Sequence, residues 1–291
     1  MDFTPIQHTT LASGPLAYRH TGTGLPLLLI HGWRGSSRHW QDTMDTLADC
    51  RAVYAIDLPG HGGTPPWQEP ITTEGLAQHT LEFADRLGLE RFDLVGHSFG
   101  SAVAVALAAQ APERVRRLVI TSLGTVRSEL EQVALVQAHQ QMEIGLAFWR
   151  PWFAMMRPWP GLWQSWVDFM GSQPAVSRML AGTFMRQLPP DDAVVREGVV
   201  EFLSADPLSA MEIAISAGSP TFFPALSKVT APALVVTGDS DQLMPRSGVE
   251  ALAEQLRDCR LVELAGCGHL PMIEQPEAYH RLVRAFLLAG D

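Results

Sequence analysis

The chain has 291 residues, of which 46% are hydrophobic and 18% charged, and this balance indicates a globular protein with a sizeable core. Its formal net charge of −10 argues against nucleic acid as a partner. The three cysteines are scattered and lack a C-x-x-C spacing, so the sequence predicts neither a disulfide framework nor a zinc site. We expect no metal and no other cofactor.

Short apolar runs alternate with amphipathic segments over most of the chain. The runs predict buried strands, and the segments between them have helical spacing. Strands are predicted at 27–30, 52–56, 94–95, 118–120, 233–236 and 261–264, and helices at 37–49, 73–89, 99–111, 247–257 and 276–289. This alternation favours an α/β fold in which helices cover both faces of a parallel sheet.

The stretch from residue 126 to residue 218 breaks this alternation. It contains no convincing strand and is rich in bulky apolar residues, including five tryptophans between residues 149 and 166. Prolines at 151, 158 and 160 are expected to divide it into short helices. We therefore predict a core domain made of residues 1–125 and 219–291, and a helical insertion over residues 126–218.

The sequence Gly-His-Ser-Phe-Gly at 96–100 lies between a predicted strand and a predicted helix. A serine on such a sharp turn, with glycine two residues away on either side, indicates a nucleophile elbow. The turn strains the serine backbone, and a Cβ atom at either glycine would collide with the turn. Ser98 is thus the candidate nucleophile, and the start of the following helix would lie beneath a developing anion.

A serine hydroxyl needs a base, and the base needs an acid that orients it. Asp239 and Asp241 follow the strand at 233–236, and His269 follows the strand at 261–264. Because the carboxyl ends of parallel strands share one edge of the sheet, we expect Ser98, an aspartate and His269 to converge there. His97 is excluded as the base because its side chain should point away from that of its neighbour.

An acyl-transfer transition state also requires two backbone N–H groups that point at the oxyanion. The elbow offers the amide of Phe99. The loop His31-Gly32-Trp33, which follows the first predicted strand, offers a second amide, and we assign it to Trp33. Gly32 permits the backbone to turn inward at this point.

Together these residues resemble the α/β-hydrolase superfamily, and more narrowly its cap-bearing bacterial branch of esterases, epoxide hydrolases and C–C hydrolases. The resemblance spans nearly the whole chain except for residues 126–218. It is carried by His31-Gly32-Trp33, Asp57-Leu58-Pro59-Gly60-His61-Gly62, Gly96-His97-Ser98-Phe99-Gly100, Asp241 before Pro245, and Gly268-His269.

The resemblance implies a mostly parallel eight-stranded sheet flanked by helices, with the insertion as a helical cap. It implies Ser98 as nucleophile, His269 as base and Asp241, rather than Asp239, as the orienting acid. It also implies oxyanion donors at Trp33 and Phe99. Haloalkane dehalogenases and epoxide hydrolases of this fold use aspartate as the nucleophile, so the serine argues against both activities.

The favoured hypothesis is a serine hydrolase that cleaves a carboxylic ester or thioester of a small-to-medium hydrophobic substrate through an acyl-enzyme on Ser98. C–C bond hydrolysis, lyase chemistry and acyl transfer use the same triad and stay open. For C–C hydrolysis, Arg150, Arg157 or Arg186 could supply a basic group in the cap. A small-molecule receptor of the same fold is the non-enzymatic alternative.

An apolar pocket is expected between Ser98 and the insertion. Its expected lining is His31, Trp149, Trp152, Phe153, Met156, Leu243 and Leu270. The tryptophans could instead form a lid that opens at a lipid interface, although cap core is the favoured interpretation. The first residues show no signal-peptide pattern, and no apolar run reaches membrane-spanning length. We therefore expect a cytoplasmic protein without integral membrane association. We also expect it to be a monomer or a homodimer.

Overall fold

Eight strands form one sheet in the computed structural model, which describes residues 3–156 and 160–289. The strands are β1 Ile6–Leu11, β2 Gly14–Thr21, β3 Leu25–Ile30, β4 Arg51–Ile56, β5 Phe92–His97, β6 Val115–Thr121, β7 Ala233–Gly238 and β8 Cys259–Leu264. Their order is β1-β2-β4-β3-β5-β6-β7-β8. β2 runs antiparallel to β1 and β4, and the neighbours from β4 to β8 pair in parallel. The predicted fold class is confirmed.

Helices cover both faces of this sheet. They are α1 Gln41–Leu47, α2 Thr73–Arg86, α3 Phe99–Gln110, α4 Glu129–Met156, α5 Pro160–Gly171, α6 Pro174–Phe184, α7 Asp192–Ser204, α8 Pro207–Ser216, α9 Phe222–Leu226, α10 Arg246–Gln255, α11 Pro271–Glu274 and α12 Pro276–Leu288. None of the helices in the described part of the chain combines the length and apolar character that crossing a bilayer requires.

Alternation along β3 shows why its run of apolar residues forms a central strand. Leu28 and Ile30 pack into the core that includes residues of α2 and α3. Leu27 and Leu29 pack into the opposite core, with residues of α1 and α12. All four side chains are completely buried, because both faces of the strand are covered. A run without polar residues is therefore what this position in the sheet requires.

The strands β1 and β2 were missed as elements by the pattern of apolar runs, although the total of eight strands is confirmed. β1 is mostly exposed, with the sequence Ile-Gln-His-Thr-Thr-Leu. β2 contains glycine, proline and three partly exposed residues at its end. β1 is the edge strand, and β2, although paired on both sides, has only three buried residues, Leu16, Ala17 and Tyr18. Strands that are only partly covered need fewer apolar residues.

Between β6 and β7, the described residues of 126–218 form the helices α4 to α8 and contain no strand. The expectation that Pro151 divides this region is wrong, because α4 continues through Pro151 for a total of 28 residues. A proline inside a helix removes one backbone donor, and the hydrogen bonds of the turns on either side keep such a long helix intact. Pro160 begins α5, where its missing N–H costs nothing. Pro158 lies outside the described residues.

A buried charge cluster lies near the start of β5, at the end of the strand opposite Ser98. The Nε atom of Arg51 is 2.9 Å from Oδ2 of Asp93, and Nη1 of Arg116 is 3.6 Å from the same oxygen. The side chains of Arg51 and Asp93 are only 2% and 0% exposed. Removing one partner would leave a buried charge without its counter-charge, and this is far more costly than removing the pair.

We therefore expect Asp93→Ala to lower the free energy of unfolding by about 3–5 kcal/mol. The matched control is Asp85→Ala, which breaks the exposed ion pair of Asp85 with Arg114 and should cost at most about 1 kcal/mol. Urea denaturation followed by circular dichroism measures both. Equal effects of the two substitutions would contradict the buried-charge argument.

Candidate active site

Ser98 lies between the last residue of β5 and the first residue of α3. Its backbone has φ +51° and ψ −121°, a conformation that residues other than glycine rarely adopt. A Cβ atom on Gly96 would lie 2.5 Å from the carbonyl oxygen of Gly100, and a Cβ on Gly100 would lie 2.3 Å from that of Ile30. The predicted strain at Ser98 and the predicted collisions at both glycines are confirmed.

Three side chains from separate loops meet at the carboxyl ends of the strands. Oγ of Ser98 is 2.9 Å from Nε2 of His269, and Nδ1 of His269 is 2.8 Å from Oδ2 of Asp241. Asp241 follows β7 and His269 follows β8. A carboxylate only accepts hydrogen bonds, so Nδ1 carries the proton of the neutral ring. Nε2 is then free to accept the hydroxyl proton of Ser98.

The Asp241 carboxylate also organises its own loop. Its Oδ1 atom accepts hydrogen bonds from the amides of Leu243 and Met244, at 2.9 and 3.1 Å. The other oxygen is left to face His269, and the Asp241 side chain in this pair is 0% exposed. The competing residue Asp239 is exposed and accepts from the Gly266 amide at 2.8 Å. Of the two aspartates, Asp241 is therefore the one bonded to the imidazole.

His97 and His31 are both buried beneath the site and stay neutral. Nε2 of His97 lies 2.8 Å from the carbonyl oxygen of His269. Nε2 of His31 accepts from the Leu58 amide at 2.9 Å, so the ring supports the next loop and has no surface open to a substrate. Burial lowers the pKa of both imidazoles well below the ordinary value.

The loop that follows β3 packs directly against the elbow. A Cβ atom on Gly32 would lie 3.1 Å from Cβ of Ser98, so only a glycine lets this backbone approach so closely. The next residue, Trp33, donates from its indole Nε1 to the carbonyl oxygen of Ala210 at 2.7 Å. Phe99 is the first residue of α3. The assignment of the Trp33 and Phe99 amides as oxyanion donors stays a prediction.

Comparison with protein families identifies this arrangement. The sequence profile of the alpha/beta hydrolase family matches residues 27–282. The chain belongs to the alpha/beta hydrolase family. It is 28% identical to a pimeloyl-[acyl-carrier protein] methyl ester esterase of Nitrosomonas europaea, over 89% of this chain and 94% of the relative.

A second relative is named for a different activity. The chain is 30% identical to a 2-hydroxymuconate semialdehyde hydrolase of Pseudomonas sp. strain CF600, over 98% of this chain and 95% of the relative. Among solved structures, a thermophilic esterase from Thermogutta terrifontis superposes with a TM-score of 0.72 at 24% identity, over 97% of this chain and 98% of that chain. This last likeness supports the fold alone.

The aromatic side chains that approach His269 differ from those expected from the sequence. A row of neighbouring rings leads from Trp33 to His269. The distances between ring centroids are 5.5 Å from Trp33 to Phe202, 5.3 Å from Phe202 to Phe184 and 6.5 Å from Phe184 to His269. Phe184 ends α6 and Phe202 lies in α7. Neither residue is predicted by the sequence, because nothing in their local sequence separates them from ordinary helix-packing residues.

The residues that the sequence predicts to line the pocket are exposed or only half-buried where the structure describes their side chains, apart from His31. Trp149 and Trp152 are 53% and 48% exposed on α4, and Leu243 is also exposed. Phe153 and Leu270 are half-buried. The side chain of Met156 lies outside those that the structure describes. Their role in the pocket stays a prediction.

Two of the three arginines considered for C–C hydrolysis lie in the described part of the chain. Nη2 of Arg150 is 3.1 Å from Oε1 of Glu212, a buried residue of α8, so this arginine joins α4 to α8. Arg186 is exposed, and Arg157 lies outside the described residues. In the described part of the chain, no group of three or more histidine, cysteine, aspartate or glutamate side chains is arranged to hold a metal ion.

The elbow geometry generates a test. We expect Gly100→Ala to abolish folding or activity, because the new methyl group would overlap the carbonyl oxygens of Ile30 and His31 at 2.3 and 2.4 Å. The control is Gly182→Ala in α6, where a Cβ atom meets nothing within 4 Å. Alanine there should be neutral or stabilise the protein by up to about 1 kcal/mol. Soluble yield and thermal midpoint of both variants measure the difference, and a well-folded, active Gly100→Ala protein would refute the steric account.

Proposed function

We propose that this protein is a serine hydrolase that cleaves a carboxylic ester or thioester of a small-to-medium hydrophobic substrate. The observation that carries the proposal is the continuous line of hydrogen bonds from Ser98 through His269 to Asp241, at 2.9 and 2.8 Å. A hydroxyl, an imidazole and a carboxylate in this order constitute an activated nucleophile with its base and orienting acid. Ser98 is half-buried, which leaves its oxygen accessible to a substrate.

In the proposed reaction, His269 accepts the Ser98 proton as Oγ attacks the carbonyl carbon. The amides of Trp33 and Phe99 hold the oxyanion of the tetrahedral intermediate. The bond to the alcohol or thiol then breaks, and His269 gives its proton to the leaving group. Water attacks the acyl-enzyme with His269 again as base, releasing the acid and restoring the serine. Asp241 stabilises the imidazolium at both stages.

The substrate class follows from the surroundings of Ser98. Residues 126–218 serve in this proposal as a cap, whose helices α6 and α7 bring Phe184 and Phe202 toward His269. Aromatic rings around a few polar groups suit an apolar acyl or alcohol group. The relative that is named a methyl ester esterase acts on an ester, which supports ester hydrolysis as the first candidate.

C–C bond hydrolysis is the second candidate. The relative named 2-hydroxymuconate semialdehyde hydrolase covers 98% of this chain, and a semialdehyde of that name contains no ester bond. The catalytic side chains alone do not separate the two reactions, because both use an activated serine. A parallel assay of p-nitrophenyl esters and a vinylogous diketone distinguishes them by which substrate gives the higher kcat/KM.

Ser98→Ala tests the nucleophile. We expect kcat for a p-nitrophenyl ester to fall by about 10⁴- to 10⁶-fold, since the remaining groups cannot form an acyl-enzyme. A fluorophosphonate probe should label the wild-type protein at Ser98 and leave the variant unlabelled. Circular dichroism confirms that the variant is folded. Near wild-type turnover by Ser98→Ala would refute the hydrolase proposal, and tight binding of a small molecule without labelling would favour a receptor.

A second pair of variants tests which aromatic residues form the pocket. Phe184→Ala should lower kcat/KM for p-nitrophenyl hexanoate by about tenfold, because a side chain near His269 loses its contact with the acyl chain. Trp149→Ala, on the exposed side of α4, should change kcat/KM for the same substrate by less than about twofold. Both values are measured relative to p-nitrophenyl acetate, whose short acyl group needs little of the pocket. The opposite order would assign the pocket to α4, as the sequence pattern predicts.

A further inference from the structure

The carboxylate of Glu274, at the end of α11, accepts four hydrogen bonds from backbone amides. The donors are Arg186 at 2.7 Å, Gln187 at 2.8 Å, Gly268 at 3.0 Å and Leu270 at 3.2 Å. Its Oε2 atom accepts the bonds from Arg186, Gln187 and Gly268, and its Oε1 atom accepts the bond from Leu270, so both oxygens are engaged by the backbone. Glu274 is only 9% exposed, and it provides the negative charge that makes such hydrogen bonds strong.

These four amides belong to two different parts of the chain. Gly268 and Leu270 flank His269 on either side, whereas Arg186 and Gln187 follow α6. The peptide groups of His269 are fixed as well. Its amide donates to the carbonyl oxygen of Phe184 at 2.8 Å, and its carbonyl oxygen lies 2.8 Å from Nε2 of His97. The histidine backbone is thus held on every side.

Close packing leaves this loop little freedom to move. A Cβ atom on Gly268 would lie 2.7 Å from the amide nitrogen of Arg186 and 2.9 Å from Oε1 of Glu274. Glycine is therefore required where the histidine loop, the carboxylate and the segment after α6 come together. Catalytic groups need to be held within about 0.5 Å of their working positions, and residues that lock the neighbouring backbone provide that.

We propose that Glu274 is a positioning residue, which sets the His269 imidazole relative to Ser98 and couples it to the segment formed by residues 184–187. The inference rests on the proposed function in one respect, that His269 is the base. Glu274 does not touch the reacting atoms. It acts through the amides on both sides of His269, so that displacement of the segment after α6 also displaces the histidine.

Glu274→Gln tests this role. The glutamine side chain has nearly the same size as glutamate, but an NH₂ group replaces one of the two accepting oxygens. This NH₂ group faces backbone N–H donors and cannot accept their hydrogen bonds. We expect kcat for p-nitrophenyl acetate to fall by about 10- to 100-fold, because misplacement of a catalytic group by about 1 Å has an effect of that size. KM should change by less than about twofold. The matched control is Glu277→Gln, three residues later and exposed, which should leave kcat and KM unchanged.

A second readout does not depend on catalysis. The proton on Nδ1 of His269, hydrogen-bonded to Asp241, is expected to give a far-downfield proton NMR resonance. Glu274→Gln should shift or broaden this resonance, and Glu277→Gln should not. If Ser98→Ala kept full esterase activity, the proposed function would fail, yet the resonance would still test the position of His269. Unchanged kcat and an unchanged resonance in Glu274→Gln would overturn the positioning role, even if the thermal midpoint fell.

Arg186→Pro provides an independent variant in case Glu274→Gln does not fold. Proline removes the Arg186 amide hydrogen that Glu274 accepts, and its ring carbon takes the place of that hydrogen, so the segment after α6 has to move away from the carboxylate. The arginine side chain itself is exposed. The preceding residue, Met185, already has the extended conformation that a following proline requires, with φ −112° and ψ 135°. We expect a lower kcat and the same change in the His269 resonance. Wild-type values of both would exclude coupling between this segment and the histidine.

Discussion

The strained backbone at Ser98 is the constraint on which the site depends. A residue with φ +51° is held there because β5 enters the turn and α3 leaves it with no room for side chains at Gly96 or Gly100. Arg34 and Ser122 also have positive φ, and with Ser98 they are the non-glycine examples in the described part of the chain. Each follows a strand of the parallel sheet, at the same edge. Strain of this kind persists only where the surrounding structure fixes it, and here it coincides with the candidate chemistry.

The helices between β6 and β7 are bonded to the loops that hold the candidate groups. Arg34 donates through Nε to the carbonyl oxygen of Phe202 at 2.7 Å, at the end of α7. Trp33 donates to Ala210 in α8, and Glu274 binds the segment after α6. The helical segment is therefore part of the scaffold of the candidate site. A substrate that displaces these helices would also strain the two loops on either side of Ser98.

Much of the candidate site could be predicted because its signals are local. Five consecutive residues, 96–100, identify the elbow. Asp241 and His269 follow recognisable strands whose carboxyl ends lie at the same edge of the sheet. The signals that failed depend on tertiary context. β1 lies at the edge of the sheet and is mostly exposed, and β2 has only a short apolar run of three residues. α4 passes through Pro151 because its other turns remain intact. Phe184 approaches His269 only through the packing of α6 and α7, which no sequence spacing reveals.

Burial and hydrogen-bond partners also decide which imidazole is equipped for proton transfer. His31, His61 and His97 lie under the site with carbonyl oxygens or backbone amides as partners, and burial lowers the pKa of each, to about 4 for His61. They remain uncharged near neutral pH, so none of them places a positive charge beside the reacting groups. His269 differs from these three histidines, because one of its ring nitrogens faces a carboxylate and the other faces a hydroxyl. In the proposed reaction, a proton taken from Ser98 would therefore be stabilised by the carboxylate of Asp241.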